Sequence, residues 1–189
     1  IGASHFVHAC RRNIGITYFV HNNQIYGLTT GQRSPTSDKG FSSKSTPHGV
    51  IEEPFNPLAI ALASGATFVA RTFVGEFDHI KQVMAQALLH KGFAVVDIFQ
   101  PCVTFNQKNT YEWFQKRVYK INDDPGYNVS DKSAAFYLVT SRQEKLPIGI
   151  FYREERPTYE GEVTQIQKET LVRQFRNSVD IAKMLADFV

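Results

Sequence analysis

Only two cysteines, Cys10 and Cys102, occur in 189 residues, which excludes a disulfide-stapled scaffold. Long apolar runs are missing too: stretches such as 93–96 fall far short of the roughly 20 residues that a membrane-spanning helix needs. The first residues lack the charged-then-apolar layout of a secretory signal, so a reducing cytoplasm is the expected compartment. Neither charge sign dominates, with 21 basic against 18 acidic residues and a net charge of +3. That balance is too mild to imply nucleic acid, and no membrane partner is expected either. Disorder as the dominant state is excluded by what is present, 42% hydrophobic and 13% aromatic residues, enough to bury the core of a single domain.

The charge is unevenly spread. Residues 1–50 hold five basic residues (Arg11, Arg12, Arg33, Lys39, Lys44) against Asp38 alone, so a phosphate-bearing ligand is welcome near that segment. The chain also opens on Ile1-Gly2 rather than Met and reads at once as a helix, so an upstream portion is expected.

Periodicity predicts a helix over 4–12, with Ser4 as N-cap and Asn13 as terminator. A β-branched and aromatic run over 14–20 predicts a strand buried on both faces. Residues 23–57 hold four Gly and four Pro, which forces irregular backbone over a length usually reserved for function. Helix 58–62 follows, led by Pro57 and closed by Gly65, then a strand at 67–70. Ile80, Val83, Met84, Ala87 and Leu88 give the amphipathic spacing of a helix over 77–91, and 93–99 is an apolar strand interrupted by Asp97. Such alternation predicts an α/β fold, a mostly parallel sheet flanked by helices. Beyond Pro101 the expected elements are helices at 110–119 and 131–141, a strand at 148–152 and a final helix broken near Asn177.

The chemistry concentrates after the first strand, where Asn22-Asn23-Gln24-Ile25-Tyr26-Gly27-Leu28-Thr29 opens the irregular segment. Ligands of open α/β sheets sit beyond the carboxyl ends of strands. A hard cation such as Mg²⁺ takes oxygen ligands, which the Asn23 side chain and the Ile25 carbonyl can offer, and Gly27 and Gly31 let backbone approach a diphosphate. On residue types alone, an ordinary turn is the commoner meaning of this pattern.

Four stretches change that balance: 1–13 with Ile1-Gly2, His5 and Arg11-Arg12-Asn13; NNQIYGLTTGQRSPT at 22–36; QPCVTFN at 100–106 with Asn109-Thr110-Tyr111 behind it; and LPIGIFYREERPTY at 146–159. In this order they resemble the β subunit of the 2-oxoacid:ferredoxin oxidoreductases, thiamine diphosphate enzymes that oxidatively decarboxylate 2-oxo acids. The resemblance implies a thiamine diphosphate-binding fold with a helical C-terminal extension. Residues 1–106 would be the C-terminal part of the cofactor-binding domain, and 107–189 the extension packed on it. It implies cofactor contacts at His5, Asn23, Ile25, Tyr26, Gly27, Leu28 and Thr29, with Mg²⁺ held by Asn23, Ile25 and the Asp of an upstream Gly-Asp-Gly. It implies that Cys102 is one of four ligands of a [4Fe–4S] cluster, the other three lying upstream. On this chain alone the cluster is not expected to assemble, and activity is not expected.

The implied partners are an α subunit, which supplies the glutamate that activates thiamine, together with ferredoxin, coenzyme A and a 2-oxo acid; no catalytic residue is assigned within this chain. Thr30 and Arg33 depart from the family, where Lys or Gly and small residues are usual at those positions. Cys10 is expected in the core, and Arg11-Arg12, which could clamp a phosphate, are read as complementing the dipole at a helix end. The alternatives are a non-redox thiamine diphosphate decarboxylase or transketolase-like enzyme, and a non-catalytic fragment that docks on an α subunit.

Overall fold

The computed structural model describes residues 2–141, 144–174, 181–186 and 188. Helix α1 (Ala3–Arg12) starts at Gly2 with no side-chain cap, so the cap expected at Ser4 falls inside the helix instead of ahead of it. Asn13 ends it as expected, in the left-handed conformation at φ 51°. The Asn13 carboxamide then accepts from Phe93 N (2.9 Å) and the Thr67 hydroxyl (2.7 Å) and donates to the Arg156 and Pro157 carbonyls. One helix terminator thus fastens distant segments together.

Strand β1 (Thr17–Asn22) is followed by a two-stranded hairpin, β2 (Ile25–Tyr26) with β3 (Gln32–Arg33). Next come α2 (Pro57–Ala63), β4 (Phe68–Phe73), α3 (Phe77–Leu89) and β5 (Ala94–Phe99). Helix α2 begins where Pro57 fits the first turn and the Asn56 side chain accepts from Ala59 N. The remaining elements are α4 (Tyr111–Gln115), β6 (Val118–Lys120), α5 (Lys132–Thr140), β7 (Leu146–Arg153), α6 (Tyr159–Glu162) and α7 (Ile181–Ala186).

The main sheet runs β1-β5-β4-β7-β6. Strands β1, β5 and β4 are parallel, β7 lies antiparallel to β4, and β6 is parallel to β7. All six residues of β4 and of β5 are buried, as a strand covered on both faces requires. Side chains alternate between the layers. Val69, Val95 and Phe151 join Cys10, Leu58, Leu62, Ala135 and Val139 under α1, α2 and α5, whereas Ala70, Val96 and Ile98 join Val83 and Ala87 of α3. Phe68, Phe73, Phe93 and Phe151 are each fully enclosed or nearly so, which is worth about 2 kcal/mol apiece in apolar burial.

Two further expectations need correction. The first strand is not buried on both faces: it begins at Thr17 and forms the sheet's edge, with Ile16 and Tyr18 exposed. The helix expected over 110–119 stops at Gln115, and Val118–Lys120 pairs with β7 instead. Of the final helix expected to break near Asn177, the structure describes α7 and, ahead of it, single turns at Thr164–Ile166 and Leu171–Arg173; Asn177 itself lies outside the described residues. Among the described residues no helix is long and apolar enough to cross a membrane.

Candidate functional site

The carboxyl ends of β1 and β5 lie side by side, Asn22 opposite Phe99 in register, so the two loops that leave them meet. The loop after β1 folds back on itself at once. Asn23 Oδ1 accepts from Ile25 N at 3.1 Å, which lays the carboxamide over the next peptide but one. The Ile25 side chain is 2% exposed and packs with Phe41 and Val50, Cys102 resting against them. Its apolar side chain anchors the turn while its backbone stays with Asn23.

The loop after β5 closes on this turn from the other side. Asn106 Nδ2 donates to the Asn23 carbonyl at 3.5 Å. A Cβ on Gly27 would lie 3.4 Å from Cys102 Sγ and 3.9 Å from Asn23 Nδ2, so Gly27 is where sulfur, carboxamide and backbone converge. A Cβ on Gly31, at φ 99°, would stand 3.0 Å from the Phe105 ring, so only glycine permits that second contact between the loops.

Asn23, Ile25, Gly27 and Cys102 are therefore gathered in one place. Tyr26 and Leu28 point outward, Leu28 at 99% exposure, and the Thr29 hydroxyl is bonded to the Gln32 side chain. His5 is exposed on α1, its ring close to Gly2, and among the described residues no hydrogen bond joins it to residues 23–36. Arg33 is paired with Glu52 at 2.7 Å on the solvent side, and Thr30 takes φ 73°.

Beneath the turn lies a polar foundation that residue patterns did not single out. Asp97 is fully buried; it accepts from Arg71 Nε at 2.9 Å and from Asn22 Nδ2 at 3.1 Å. Arg71 and Asp97 are neighbours in register on β4 and β5, and the Arg71 guanidinium sits 4.8 Å from the Phe99 ring centroid. Asn22 Oδ1 in turn accepts from the Thr36 hydroxyl (2.8 Å) and Gln24 N (3.3 Å), tying both ends of the loop to the ion pair. A cavity of about 390 Å³ opens here, lined by Arg71, Asp97, Asn22, Gln24, Thr36 and Asp38 among others. The available signal was Asp97 interrupting an apolar strand: a buried carboxylate needs a buried cation, and Arg71 supplies it because β4 runs on to Phe73, past the strand expected at 67–70.

For Mg²⁺ the donor set fits in part. A carboxamide oxygen and a neighbouring carbonyl are suitable hard ligands, but they are neutral and only two, so further oxygen ligands carrying charge would be needed to complete a site. For an iron–sulfur cluster, Cys102 is one free, partly exposed thiol where four are required. Among the described residues no three His, Cys, Asp or Glu gather as a metal site. The two cysteines differ in exposure, Cys10 buried and Cys102 partly exposed. Cys10 is fully buried, and desolvation pushes its thiol up to about 12, so alkylation of metal-free protein at pH 8 is expected to mark Cys102 and spare Cys10. Peptide mass spectrometry reads the outcome, and equal labelling would contradict the packing of α1.

Residues 1–98 match the family model described as thiamine pyrophosphate enzyme, C-terminal TPP binding domain, and residues 102–168 match the model for the C-terminal part of the pyruvate ferredoxin oxidoreductase beta chain. The chain is 42% identical over 175 residues to the 2-oxoacid:ferredoxin oxidoreductase subunit beta of Saccharolobus solfataricus, covering 87% of this chain and 57% of that one. It is 48% identical over 106 residues to the 2-oxoglutarate oxidoreductase subunit KorB of Mycobacterium tuberculosis, 56% of this chain and 28% of that one. Among solved structures, a 2-oxoglutarate:ferredoxin oxidoreductase from Magnetococcus marinus with 2-oxoglutarate, coenzyme A and succinyl-CoA bound superposes with a TM-score of 0.85 at 36% identity, over 98% of this chain and 62% of that one. The chain spans little more than half the length of the first two curated relatives it matches, 57% and 55%.

Proposed function

Because this chain belongs to the β-subunit family of the 2-oxoacid:ferredoxin oxidoreductases, we propose that it holds the Mg²⁺-diphosphate end of thiamine diphosphate in an enzyme that oxidises a 2-oxo acid to an acyl-CoA. The supporting observation is the convergence of the post-β1 and post-β5 loops at Gly27, with Asn23 and Cys102 on either side of it.

Asn23 Oδ1 and the Ile25 carbonyl would serve Mg²⁺, and Gly27 leaves room for backbone beside the diphosphate. Tyr26, Leu28 and Thr29 form the outer rim of the same turn, and His5, at the start of α1, is the remaining candidate contact. When bound, thiamine diphosphate supplies a carbon nucleophile for the substrate carbonyl. Cys102 would contribute one thiolate to a [4Fe–4S] cluster that delivers electrons to ferredoxin. The remaining thiolates, the Asp of the Mg²⁺ site and the activating glutamate come from outside the described residues, the glutamate from an α subunit. In this reading residues 1–106 belong to the cofactor-binding domain and 107–189 pack on it as an extension, in a cytoplasmic, heteromeric enzyme.

The test uses the complete protein with its partner subunit. Asn23→Ala is expected to weaken Mg²⁺-dependent thiamine diphosphate binding at least about tenfold, as loss of a metal-site residue generally does. Isothermal titration with and without Mg²⁺ measures it, and unchanged affinity would remove Asn23 from the site.

A further inference from the structure

Gln24 stands between the two proposed Mg²⁺ ligands and has a backbone conformation that glutamine avoids. Its φ is 58°, in the left-handed region, which costs a residue with a Cβ about tenfold in population relative to ordinary backbone. That conformation returns the Ile25 peptide to the Asn23 carboxamide, 3.1 Å from Ile25 N to Asn23 Oδ1.

Every polar group of Gln24 is engaged in holding it there. Its N–H donates to Asn22 Oδ1 (3.3 Å) and its carbonyl accepts from the Ser37 hydroxyl (2.6 Å). Its Nε2 donates to Asp38 Oδ1 (3.0 Å) and the Thr36 carbonyl (3.4 Å), and its Oε1 accepts from Asn109 Nδ2 (2.6 Å). Asn109, 1% exposed, also donates to Asp38 Oδ2 at 2.8 Å, and its own Oδ1 is buried without a partner. Turning that amide over would aim its oxygen at two acceptors, so the orphaned oxygen is the consequence of holding Gln24 and Asp38.

We propose that Gln24 is a positioning residue for the Mg²⁺ site, its left-handed backbone setting Asn23 over Ile25 and its side chain, clasped by Asn109 and Asp38, stabilising that backbone. The inference rests on the reading of Asn23 and Ile25 as cofactor ligands. It predicts an order that loss of contacts alone does not, because glycine adopts φ 58° freely while lacking the clasp.

In the complete protein, Gln24→Ala is expected to weaken Mg²⁺-thiamine diphosphate binding about tenfold, and Gln24→Gly to recover most of that loss. Asn109→Leu, which leaves residue 24 untouched, should fall with Gln24→Ala, and Gln24→Gly in its background should bind more tightly than Asn109→Leu alone. Affinities come from titration, with melting temperatures recorded alongside. A glycine variant binding no better than the alanine variant, or an alanine variant matching wild type, overturns the positioning role alone. Wild-type protein that binds no Mg²⁺-thiamine diphosphate overturns the cofactor reading and this inference together.

Discussion

Replacing Cys102 by alanine in the complete protein is expected to abolish ferredoxin reduction, by about a hundredfold or more, while thiamine diphosphate binding stays within about threefold of wild type. The separation follows from geometry. Cys102 meets the turn after β1 through apolar packing on Ile25, Phe41 and Val50 and beside Gly27, whereas the turn's hydrogen bonds run to Asn22, Asn23, Thr36, Ser37, Asp38, Asn106 and Asn109. Removing the sulfur therefore leaves Asn23 and Ile25 in place. A cluster short of one thiolate loses iron or its redox poise, so iron content and visible absorbance should fall together with electron delivery. Ferredoxin reduction at the normal rate would end the assignment of Cys102 as a ligand.

Asp97→Leu is expected to destabilise the fold by about 3–5 kcal/mol, because it strands Arg71 as an unpaired buried charge. That is a large part of the roughly 5–15 kcal/mol that holds a domain together. Arg71 is 9% exposed and loses the acceptor of its Nε, and Asn22 loses the acceptor of its Nδ2 at the root of the loop after β1. The double variant Arg71→Met with Asp97→Leu should be markedly less destabilised than Asp97→Leu, since no charge is left behind. Urea denaturation midpoints distinguish the cases. A single variant within about 1 kcal/mol of wild type would mean that the pair is dispensable.

Much of the sheet could be read from the chain because burial on both faces leaves a plain mark: β5 is one apolar run, and α3 carries its core residues at helical spacing. Lateral position leaves no such mark. The run around Thr17–Asn22 is as apolar as an interior strand, yet nothing local says that it ends the sheet. Direction is equally silent, so β7 reads the same whether parallel or antiparallel. Strand β6 was masked by the aromatic helix that runs into it.

At the site, Asn23, Ile25 and Cys102 were recognisable as parts of stretches resembling a family. The clasp on Gln24 was not, because its members, Asp38 and Asn109, lie 14 and 85 residues away and meet only when two loops fold together. Of the pair formed by Arg71 and Asp97 only Asp97 was visible, as a charge interrupting an apolar run; Arg71 follows the strand expected at 67–70 and was not singled out.

The antiparallel seam between β4 and β7 also sets a tempo. Phe68–Phe73 must wait for Leu146–Arg153, so the middle of the sheet cannot be completed by segments adjacent along the chain. Closing a loop of that length carries an entropic penalty before any contact compensates for it, so assembly is expected to be slower than for a sheet built from segments adjacent along the chain. Until that seam closes the apolar flank of β4 is open to the wrong neighbour, so losses to aggregation on refolding are expected to grow with protein concentration.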